Sequence, residues 1–352
     1  MSELERMAGN VIVCGFPGVD PPHEVRAWIT NDSLAGVILF KRNIEDVSQA
    51  TGLIAACAES DEPSRPLLVC VDQEGGRVAR FDAPIVTLPP MRRLAAAEDL
   101  ERTNLAGRVL GRQLRALGIN LDFAPVLDID TNPDNPVIGD RAFGATPETV
   151  IEQALAFARG LHTGGVLSCG KHFPGHGDTD LDSHFALPRL RHDRDRLDSV
   201  ELAPFRAAVG TLPSIMTAHV VFESLDDAPA TLSPAVIGGL LRKELGYEDA
   251  VFTDDLEMKA VSTKYPVEES GLLAIEAGCD VLLVCSDVSS VERLREALVH
   301  ESERSAAFRE KLRESHRRVE RLRGKAARLP APVPLEIALH HQDAQRLADQ
   351  LA

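Results

Sequence analysis

Eight short apolar segments, each followed by a polar turn and an amphipathic stretch, constrain the fold of this chain most strongly. Most are continuous runs of Val, Ile and Leu, which is typical of strands buried on both faces. They span residues 11–16, 35–40, 67–72, 120–127, 165–169, 214–219, 250–253 and 280–285. Eight strands alternating with helices over about 300 residues predict an α/β fold, a single (β/α)8 TIM barrel, with a doubly wound open sheet as the alternative.

Segments between these strands carry helical signals. Residues 150–162 place apolar side chains on one face at helical spacing. Ser233 and Pro234 predict a helix start, because serine caps helix N-termini and proline fits the first turn. The pattern therefore favours a chain in which strands and helices alternate.

The C-terminal part of the chain has a different composition. Residues 304–328 are rich in Arg, Lys and Glu, and their apolar residues recur at helical spacing. An exposed helix with i,i+4 charge pairs explains this pattern better than a nucleic-acid patch. Residues 329–334, LPAPVP, predict a proline-rich linker before a final helix at 335–352. We therefore assign residues 1–328 to the barrel and 329–352 to a linker and helix packed on it.

Composition limits the possible partners and cofactors. Lys plus Arg number 38 against 54 Asp plus Glu, a net charge of −16, which argues against nucleic-acid and anionic-membrane partners. The N-terminus lacks a signal-peptide pattern, and no apolar run approaches the roughly 20 residues of a membrane span, so we predict a cytoplasmic protein. We also predict a monomer. No dinucleotide or P-loop glycine motif is present, and we predict no cofactor. The six cysteines lie mostly inside apolar runs, which predicts that they are buried.

Polar side chains gather at the predicted strand ends, where barrel enzymes place their active sites. Residues 72–77, DQEGGR, follow the third strand, and Asp128 ends the fourth. Residues 171–184, KHFPGHGDTDLDSH, follow the fifth strand and combine three histidines with three aspartates. His219 ends the sixth strand, and residues 253–255, TDD, end the seventh. This repetition predicts a functional site at the carboxyl ends of the strands.

The segment 171–184 does not match the common metal or serine sites. His172 and His176 flank Phe-Pro-Gly and cannot share a helix face. A calcium loop needs glycine at its sixth position, where this chain has Ser183, and no cysteine joins the cluster. We therefore predict no metal, and the absence of a G-x-S-x-G motif argues against a Ser-His-Asp hydrolase. Carboxylates and histidines that work as nucleophile, acid and base on a neutral, hydroxyl-rich substrate are typical of glycosidases.

Several blocks in the chain then carry a family resemblance. The chain resembles the family 3 glycoside hydrolases, and within them the β-N-acetylglucosaminidases of the NagZ type, over roughly residues 10–290. The resemblance implies a barrel that binds a terminal sugar in a pocket at its C-terminal face. It rests on VDQEGGRVAR (71–80), NLDFAPVLD (120–128), NPVIGDRAFG (135–144), KHFPGHGDTDLDSH (171–184), MTAHV (216–220), ATLSP (230–234) and FTDDLEM (252–258).

The resemblance also implies roles for individual residues. Asp254 corresponds to the family's nucleophile, which forms a covalent glycosyl-enzyme and gives retention. His184, backed by Asp182, corresponds to its acid/base dyad, and histidine changes charge near neutral pH. Glycines in the same loop would let it carry His184 into the site. The residues that match sugar ligands are Asp72, Arg80, Arg141, Lys171 and His172.

The implied substrate is a small carbohydrate with a terminal N-acetylglucosamine (GlcNAc). The resemblance implies a retaining exo-β-N-acetylglucosaminidase that acts on GlcNAc-β-1,4-(anhydro)MurNAc and muropeptides in cell-wall recycling. A family 3 GlcNAc phosphorylase or a β-glucosidase is the alternative among enzymes. A non-catalytic amino-sugar binding protein is the alternative of another class.

Overall fold

Eight parallel strands close into a barrel in the computed structural model, which describes residues 2–59 and 62–351. Each strand pairs with its neighbours in chain order, and the last pairs with the first. The prediction of a (β/α)8 barrel is confirmed, and the open sheet is wrong. The barrel strands are β1 (Ile12–Cys14), β2 (Gly36–Leu39), β3 (Leu68–Val71), β4 (Leu121–Asp122), β5 (Leu167–Phe173), β7 (Ser214–Thr217), β9 (Ala250–Asp255) and β10 (Val281–Val284). The short strands β6 (Arg189–Leu190) and β8 (Val221–Phe222) pair separately.

Helices surround the barrel. They are α1 (Glu3–Gly9), α2 (His23–Thr30), α3 (Val47–Ala58), α4 (Met91–Ala95), α5 (Leu100–Leu117), α6 (Pro147–Gly164), α7 (Arg194–Ser199), α8 (Leu202–Ala208), α9 (Lys259–Ser262), α10 (Val267–Ala277), α11 (Val288–Arg304), α12 (Ala306–Ala327), α13 (Leu335–Leu339) and α14 (Gln342–Leu351). A π-helix spans Ala235–Glu244, and 3-10 turns lie at Lys41–Asn43, Gly139–Arg141 and Ala230–Leu232. Within the described residues, no helix has the length and apolar character that crossing a membrane requires.

The core fills both the barrel and the layer between strands and helices. Every residue of β1, β2, β3 and β10 is buried, because side chains on one face fill the barrel and those on the other pack under helices. Inside the barrel, Phe123 and Phe252 meet edge to face with ring centroids 5.3 Å apart. All six cysteines are buried, which confirms the prediction made from their apolar neighbours.

Two barrel strands each carry one extra residue near their carboxyl ends. Between Gly170 and Phe173, β5 advances by three residues while its partner β7 advances by two. Between Phe252 and Asp255, β9 likewise advances by three residues while β10 advances by two. Such bulges re-aim side chains and occur frequently beside active sites. Consecutive residues at these points can therefore face the same side, which a regular strand does not allow.

The charged helix α12 differs from the prediction for residues 304–328. Helix α11 ends at Arg304, and α12 uses many of its charges to bind other parts of the barrel. Arg323 is buried and donates to Asn10 Oδ1 at 3.0 Å and to Asp32 Oδ1 at 3.1 Å. Arg318 donates to the buried Asp280 at 3.2 Å. The predicted helix is therefore confirmed over Ala306–Ala327, but the expectation of an exposed helix with i,i+4 pairs is wrong, because these charges hold the helix to the barrel.

The C-terminal extension consists of two short helices on α5. The prediction of one continuous helix over 335–352 is wrong, since α13 ends at Leu339 and α14 begins at Gln342. The last residue of that predicted helix, Ala352, lies outside the described residues. Asp343 accepts a hydrogen bond from Arg112 Nη1 at 3.1 Å and from Arg108 Nη2 at 3.3 Å. These ion pairs and the buried Leu347 attach the extension to the barrel's outer layer.

Helices α5 and α6 pack closely enough that glycine is needed at their contact. An added Cβ at Gly160 would lie 2.2 Å from the carbonyl oxygen of Asn104, and one at Gly107 would lie 2.3 Å from that of Phe157. Because both obstacles are backbone atoms, neither can move aside cheaply. Close backbone approach therefore fixes how these two helices sit against each other.

Gly160→Ala is expected to destabilise the protein, because overpacking of this kind costs about 1–3 kcal/mol. Gly52→Ala is the matched control, since Gly52 lies on the exposed face of α3 with no atom within 4 Å of the added Cβ. In the control, the free energy of unfolding should rise by about 0.5–1 kcal/mol, because alanine has a higher helix propensity than glycine. Scanning calorimetry should show a lower melting temperature for Gly160→Ala alone; equal melting temperatures for the two variants would contradict this packing.

Candidate active site

A cavity of about 300 Å³ opens at the carboxyl ends of the barrel strands. This volume lies at the small end of ligand pockets, which suits one sugar ring better than two. Seven of the eight predicted site residues line it, and the eighth, Asp182, contacts one of them. The lining residues among them are Asp72, Arg80, Arg141, Lys171, His172, His184 and Asp254.

The two bulged strands explain how neighbouring residues reach this cavity together. Lys171 and His172 are consecutive in β5, yet both line the cavity, and the peptide bond between them is cis. Asp254 and Asp255 are consecutive in β9, and both line it as well. In each strand the extra residue lies at or beside the pair. The bulges therefore provide two functional side chains where a regular strand would provide one.

Oppositely charged side chains alternate along one wall of the cavity. Lys171 Nζ lies 2.7 Å from Asp72 Oδ1 and 2.6 Å from Glu74 Oε1. Arg141 binds Glu74 in a fork, with Nε at 2.9 Å and Nη2 at 2.8 Å. Arg80 Nη2 completes the row at 3.2 Å from Asp72 Oδ2. The arrangement presents donors and acceptors in fixed positions, as recognition of sugar hydroxyls requires.

These charges persist despite burial. Burial raises the pKa of Glu74, but the charges of Arg141 and Lys171 outweigh it and hold that pKa well below its usual range. Burial likewise raises the pKa of Asp72, and Lys171 and Arg80 together lower it below the ordinary value. The pKa of Lys171 is raised, because its carboxylate neighbours outweigh a burial effect of opposite sign. All three groups are therefore ionised at neutral pH.

A buried carboxylate fixes the position of His172. Asp128 Oδ2 lies 2.6 Å from His172 Nδ1, and Asp128 Oδ1 accepts the backbone N–H of His176 at 2.7 Å. Burial raises the pKa of Asp128, but its contacts with His172 lower it overall, so it is a carboxylate. With Nδ1 donating to this carboxylate, His172 has its Nε2 left for the cavity.

The neighbours Asp254 and Asp255 have opposite pKa shifts. Burial raises the pKa of Asp254, but the imidazoles of His219 and His172 and the N–H of Asp255 together lower it below its ordinary value. Burial raises the pKa of Asp255 to about 7. Asp255 also accepts the backbone N–H of Glu257 at 3.1 Å. Asp254 is thus the ionised, nucleophile-competent carboxylate of the pair, whereas Asp255 shapes the strand end.

His219 lies behind the cavity wall rather than in it. Its Nε2 is 2.9 Å from the carbonyl oxygen of Asp255, and its Nδ1 is 2.9 Å from Thr231 Oγ1. It is fully buried, and burial lowers its pKa below the ordinary value. Its contacts support the end of β9, where Asp254 stands.

The loop after β5 is anchored in its first part and exposed in its second. His176 Nε2 bonds Ser183 Oγ at 2.9 Å, and burial lowers the pKa of His176 to about 4. At Gly177 an added Cβ would lie 1.8 Å from the carbonyl oxygen of Ile129, so this glycine serves close packing in the observed structure. Beyond these contacts, His184 Nδ1 lies 2.8 Å from Asp182 Oδ1. The dyad predicted from the sequence is therefore assembled, with His184 at the cavity mouth.

Glu74 and Asp128 are site residues to which the sequence analysis assigned no individual role. Both stand in blocks that carried the family resemblance, and both follow or end a strand. An acidic residue at a strand end was the available signal. Their partners, Arg141 and His172, lie more than forty positions away in the chain, which no local pattern reveals.

Comparison with known families agrees with this geometry. The model of the glycosyl hydrolase family 3 N-terminal domain matches residues 4–322. The chain belongs to glycosyl hydrolase family 3. A beta-hexosaminidase from Alkalilimnicola ehrlichii is 41% identical over 287 residues, which cover 80% of this chain and 82% of that protein. One from Neisseria meningitidis serogroup C is 39% identical over 78% of this chain and 77% of that protein.

Solved structures of family 3 enzymes superpose on the chain. A β-N-acetylglucosaminidase from Paenibacillus sp. FPU-7 is 42% identical with a TM-score of 0.88; the match covers 95% of this chain but 64% of that one, so this chain spans under two thirds of it. NagZ from Neisseria gonorrhoeae is 32% identical with a TM-score of 0.75, over 88% of this chain and 98% of that one. The resemblance stated from the sequence and the prediction of a glycoside hydrolase are thereby confirmed.

Glu74→Gln is expected to weaken sugar binding and lower stability. The amide cannot neutralise Lys171 and Arg141 at once, and breaking a buried ion pair costs about 3–5 kcal/mol. We expect a GlcNAc dissociation constant raised about tenfold or more, measured by titration calorimetry. Glu74→Asp keeps the charge and should recover part of both losses. A wild-type GlcNAc affinity in Glu74→Gln would contradict the role of Glu74 in orienting Lys171 and Arg141 for sugar binding.

Proposed function

We propose that the chain is a retaining exo-β-N-acetylglucosaminidase that removes terminal GlcNAc from peptidoglycan fragments such as GlcNAc-β-1,4-(anhydro)MurNAc and muropeptides. The observation that carries the proposal is one sugar-sized cavity lined by the ionised Asp254 and by a His184–Asp182 dyad at its mouth. Its relatives support the sugar, since they are beta-hexosaminidases and β-N-acetylglucosaminidases. NagZ from Neisseria gonorrhoeae has been solved with N-trifluoroacetyl-D-glucosamine.

In the first step, the carboxylate of Asp254 attacks the anomeric carbon of the bound GlcNAc. His184 gives its proton to the glycosidic oxygen as the bond to the leaving sugar breaks. The product is a covalent glycosyl ester on Asp254 with inverted anomeric configuration. The low pKa of Asp254 suits this role, because the nucleophile must be ionised at neutral pH.

In the second step, water replaces the leaving sugar. Neutral His184 takes a proton from this water, which attacks the anomeric carbon and releases Asp254. The second inversion restores the original configuration, hence overall retention. Asp182 accepts from Nδ1 in both steps, so Nε2 carries the transferred proton and the imidazolium is stabilised.

The charged wall holds the sugar during both steps. Asp72 accepts hydrogen bonds from sugar hydroxyls, while Arg80, Arg141, Lys171 and His172 donate to the oxygens of the ring and of the N-acetyl group. Their mutual ion pairs keep these groups oriented before substrate arrives. Pre-orientation lowers the cost of ordering them in the transition state.

Added phosphate, an added chelator and a second aryl glycoside test this proposal and its alternatives. Inorganic phosphate during turnover would yield GlcNAc-1-phosphate if the chain were a phosphorylase, and free GlcNAc if it hydrolyses. A chelator should leave activity unchanged, because the proposed chemistry uses no metal. Hydrolysis of an aryl β-GlcNAc but not of an aryl β-glucoside would exclude the glucosidase and the binding protein. The cytoplasmic location and the monomeric state stay predictions.

Asp254→Asn is expected to lower kcat by about a thousandfold or more while GlcNAc affinity changes little, because the amide cannot attack the anomeric carbon. Asp255→Asn is the matched control at the neighbouring position. Because its amide resembles the protonated acid, we expect kcat to fall by less than about tenfold. Steady-state kinetics on an aryl β-GlcNAc compares the two. Substantial residual kcat in Asp254→Asn would rule out the nucleophile assignment.

His184→Ala is expected to slow cleavage of the natural disaccharide by about 10²–10⁴-fold, because the poor sugar leaving group needs a proton. The burst of phenol release from a dinitrophenyl β-GlcNAc should slow by less than about tenfold, since that group leaves unprotonated. Stopped-flow measurement of the burst isolates the first step. If both substrates lose the same factor in that step, His184 is not the acid.

A further inference from the structure

Two exposed apolar side chains flank the proposed acid/base dyad. Leu181 is 44% exposed and Phe185 is 71% exposed, the latter directly after His184. The other exposed large apolar residues of the described chain, Leu100, Val333 and Ile337, lie far from this loop in sequence. A phenyl ring left in solvent beside a substrate cavity is a candidate contact for a ligand.

A lysine stands beside that ring. Lys259 Nζ lies 5.9 Å from the ring centroid of Phe185, within cation–π range. The loop and the segment carrying Lys259 are joined by the Ala260 N–H, which donates to the carbonyl oxygen of Ser183 at 3.2 Å. Among residues 2–59 and 62–351, no carboxylate lies within ion-pair distance of this ammonium group. Phe185 and Lys259 therefore form one rim patch of an exposed aromatic face and an uncompensated positive charge.

The position of the patch determines what can contact it. A cavity of about 300 Å³ suits one sugar ring, which places the leaving group outside it, over the rim. His184 must reach the oxygen that joins the two sugars, and Phe185 is its neighbour in the chain. Met258, adjacent to Lys259, lines the cavity itself. The second sugar of a bound disaccharide would therefore lie against the Phe185–Lys259 patch.

Resting on the proposed function, we propose that Phe185 and Lys259 form the subsite for a leaving-group sugar that bears a carboxylate. The C–H face of the sugar packs on the phenyl ring, and the ammonium group pairs with the carboxylate. A cation here has a clear use, because the protein has a net charge of −16 and the cavity's own cations, Arg80, Arg141 and Lys171, are already held in ion pairs with Asp72 and Glu74. Without it, this negative field would repel an anionic substrate.

The test compares three substrates that share the same GlcNAc. GlcNAc-β-1,4-MurNAc carries a lactyl carboxylate, chitobiose has a neutral second sugar, and β-GlcNAc fluoride has no second sugar. Lys259→Gln should lower kcat/KM about two- to fivefold for the first substrate alone, mainly through KM, and the loss should shrink at high salt. Lys264→Gln is the matched control, since Lys264 likewise lies over an aromatic ring, that of Tyr265, at 4.9 Å.

Phe185→Ala should lower kcat/KM for both disaccharides about fivefold and leave the fluoride within about twofold. A muropeptide with carboxylates in its peptide distinguishes the source of the charge. If Lys259→Gln affects it but not GlcNAc-β-1,4-MurNAc, the lactyl group is not the partner and the proposal falls. Equal effects of Lys259→Gln on all three substrates, or no effect on any of them, would also overturn the proposed subsite but would leave the proposed hydrolase activity intact. Failure of the wild type to hydrolyse any of them would overturn both proposals.

Discussion

Closure of the parallel barrel is the constraint on which the rest of this structure depends. It brings the carboxyl ends of β3, β5 and β9 to one rim, so that Asp72, Lys171 and Asp254 meet from distant parts of the chain. Parallel strands in a closed sheet all end on the same face. The bulges in β5 and β9 refine this arrangement, because each turns two consecutive side chains toward the cavity. Barrel closure thus brings these residues together, and the bulges determine which side chains point into the cavity.

Burial of several charges in one place follows from that convergence. Removing a carboxylate or an ammonium group from water costs several kcal/mol, so such groups need partners. Here Lys171 is shared by Asp72 and Glu74, and Glu74 is shared by Lys171 and Arg141. The shared partners keep every member ionised and fixed before substrate binds. The dyad on the loop differs, since His184 remains largely exposed and can exchange protons with solvent.

Much of this organisation could be predicted from the sequence, and the exceptions have physical reasons. Continuous apolar runs revealed all eight barrel strands, although β4 is regular only at Leu121–Asp122, since Pro125 soon afterwards has no N–H to donate. The predicted site residues converge because strand ends must converge. The roles of Glu74 and Asp128 could not be predicted, because a carboxylate's partner depends on the fold. The same reason explains α12, where spacing suggested pairs within the helix, while Arg318 and Arg323 bind other elements.

The central claim is that Asp254 becomes covalently bonded to the sugar during turnover. Incubation with a 5-fluoro-N-acetylglucosaminyl fluoride, followed by proteolysis and mass spectrometry, tests it directly, because the fluorine slows release of the intermediate. The account predicts one label per chain, carried by the peptide containing Asp254, and protection from labelling by excess GlcNAc. A label on another residue, such as Asp72 or Asp128, or turnover with inversion and no label, would contradict it.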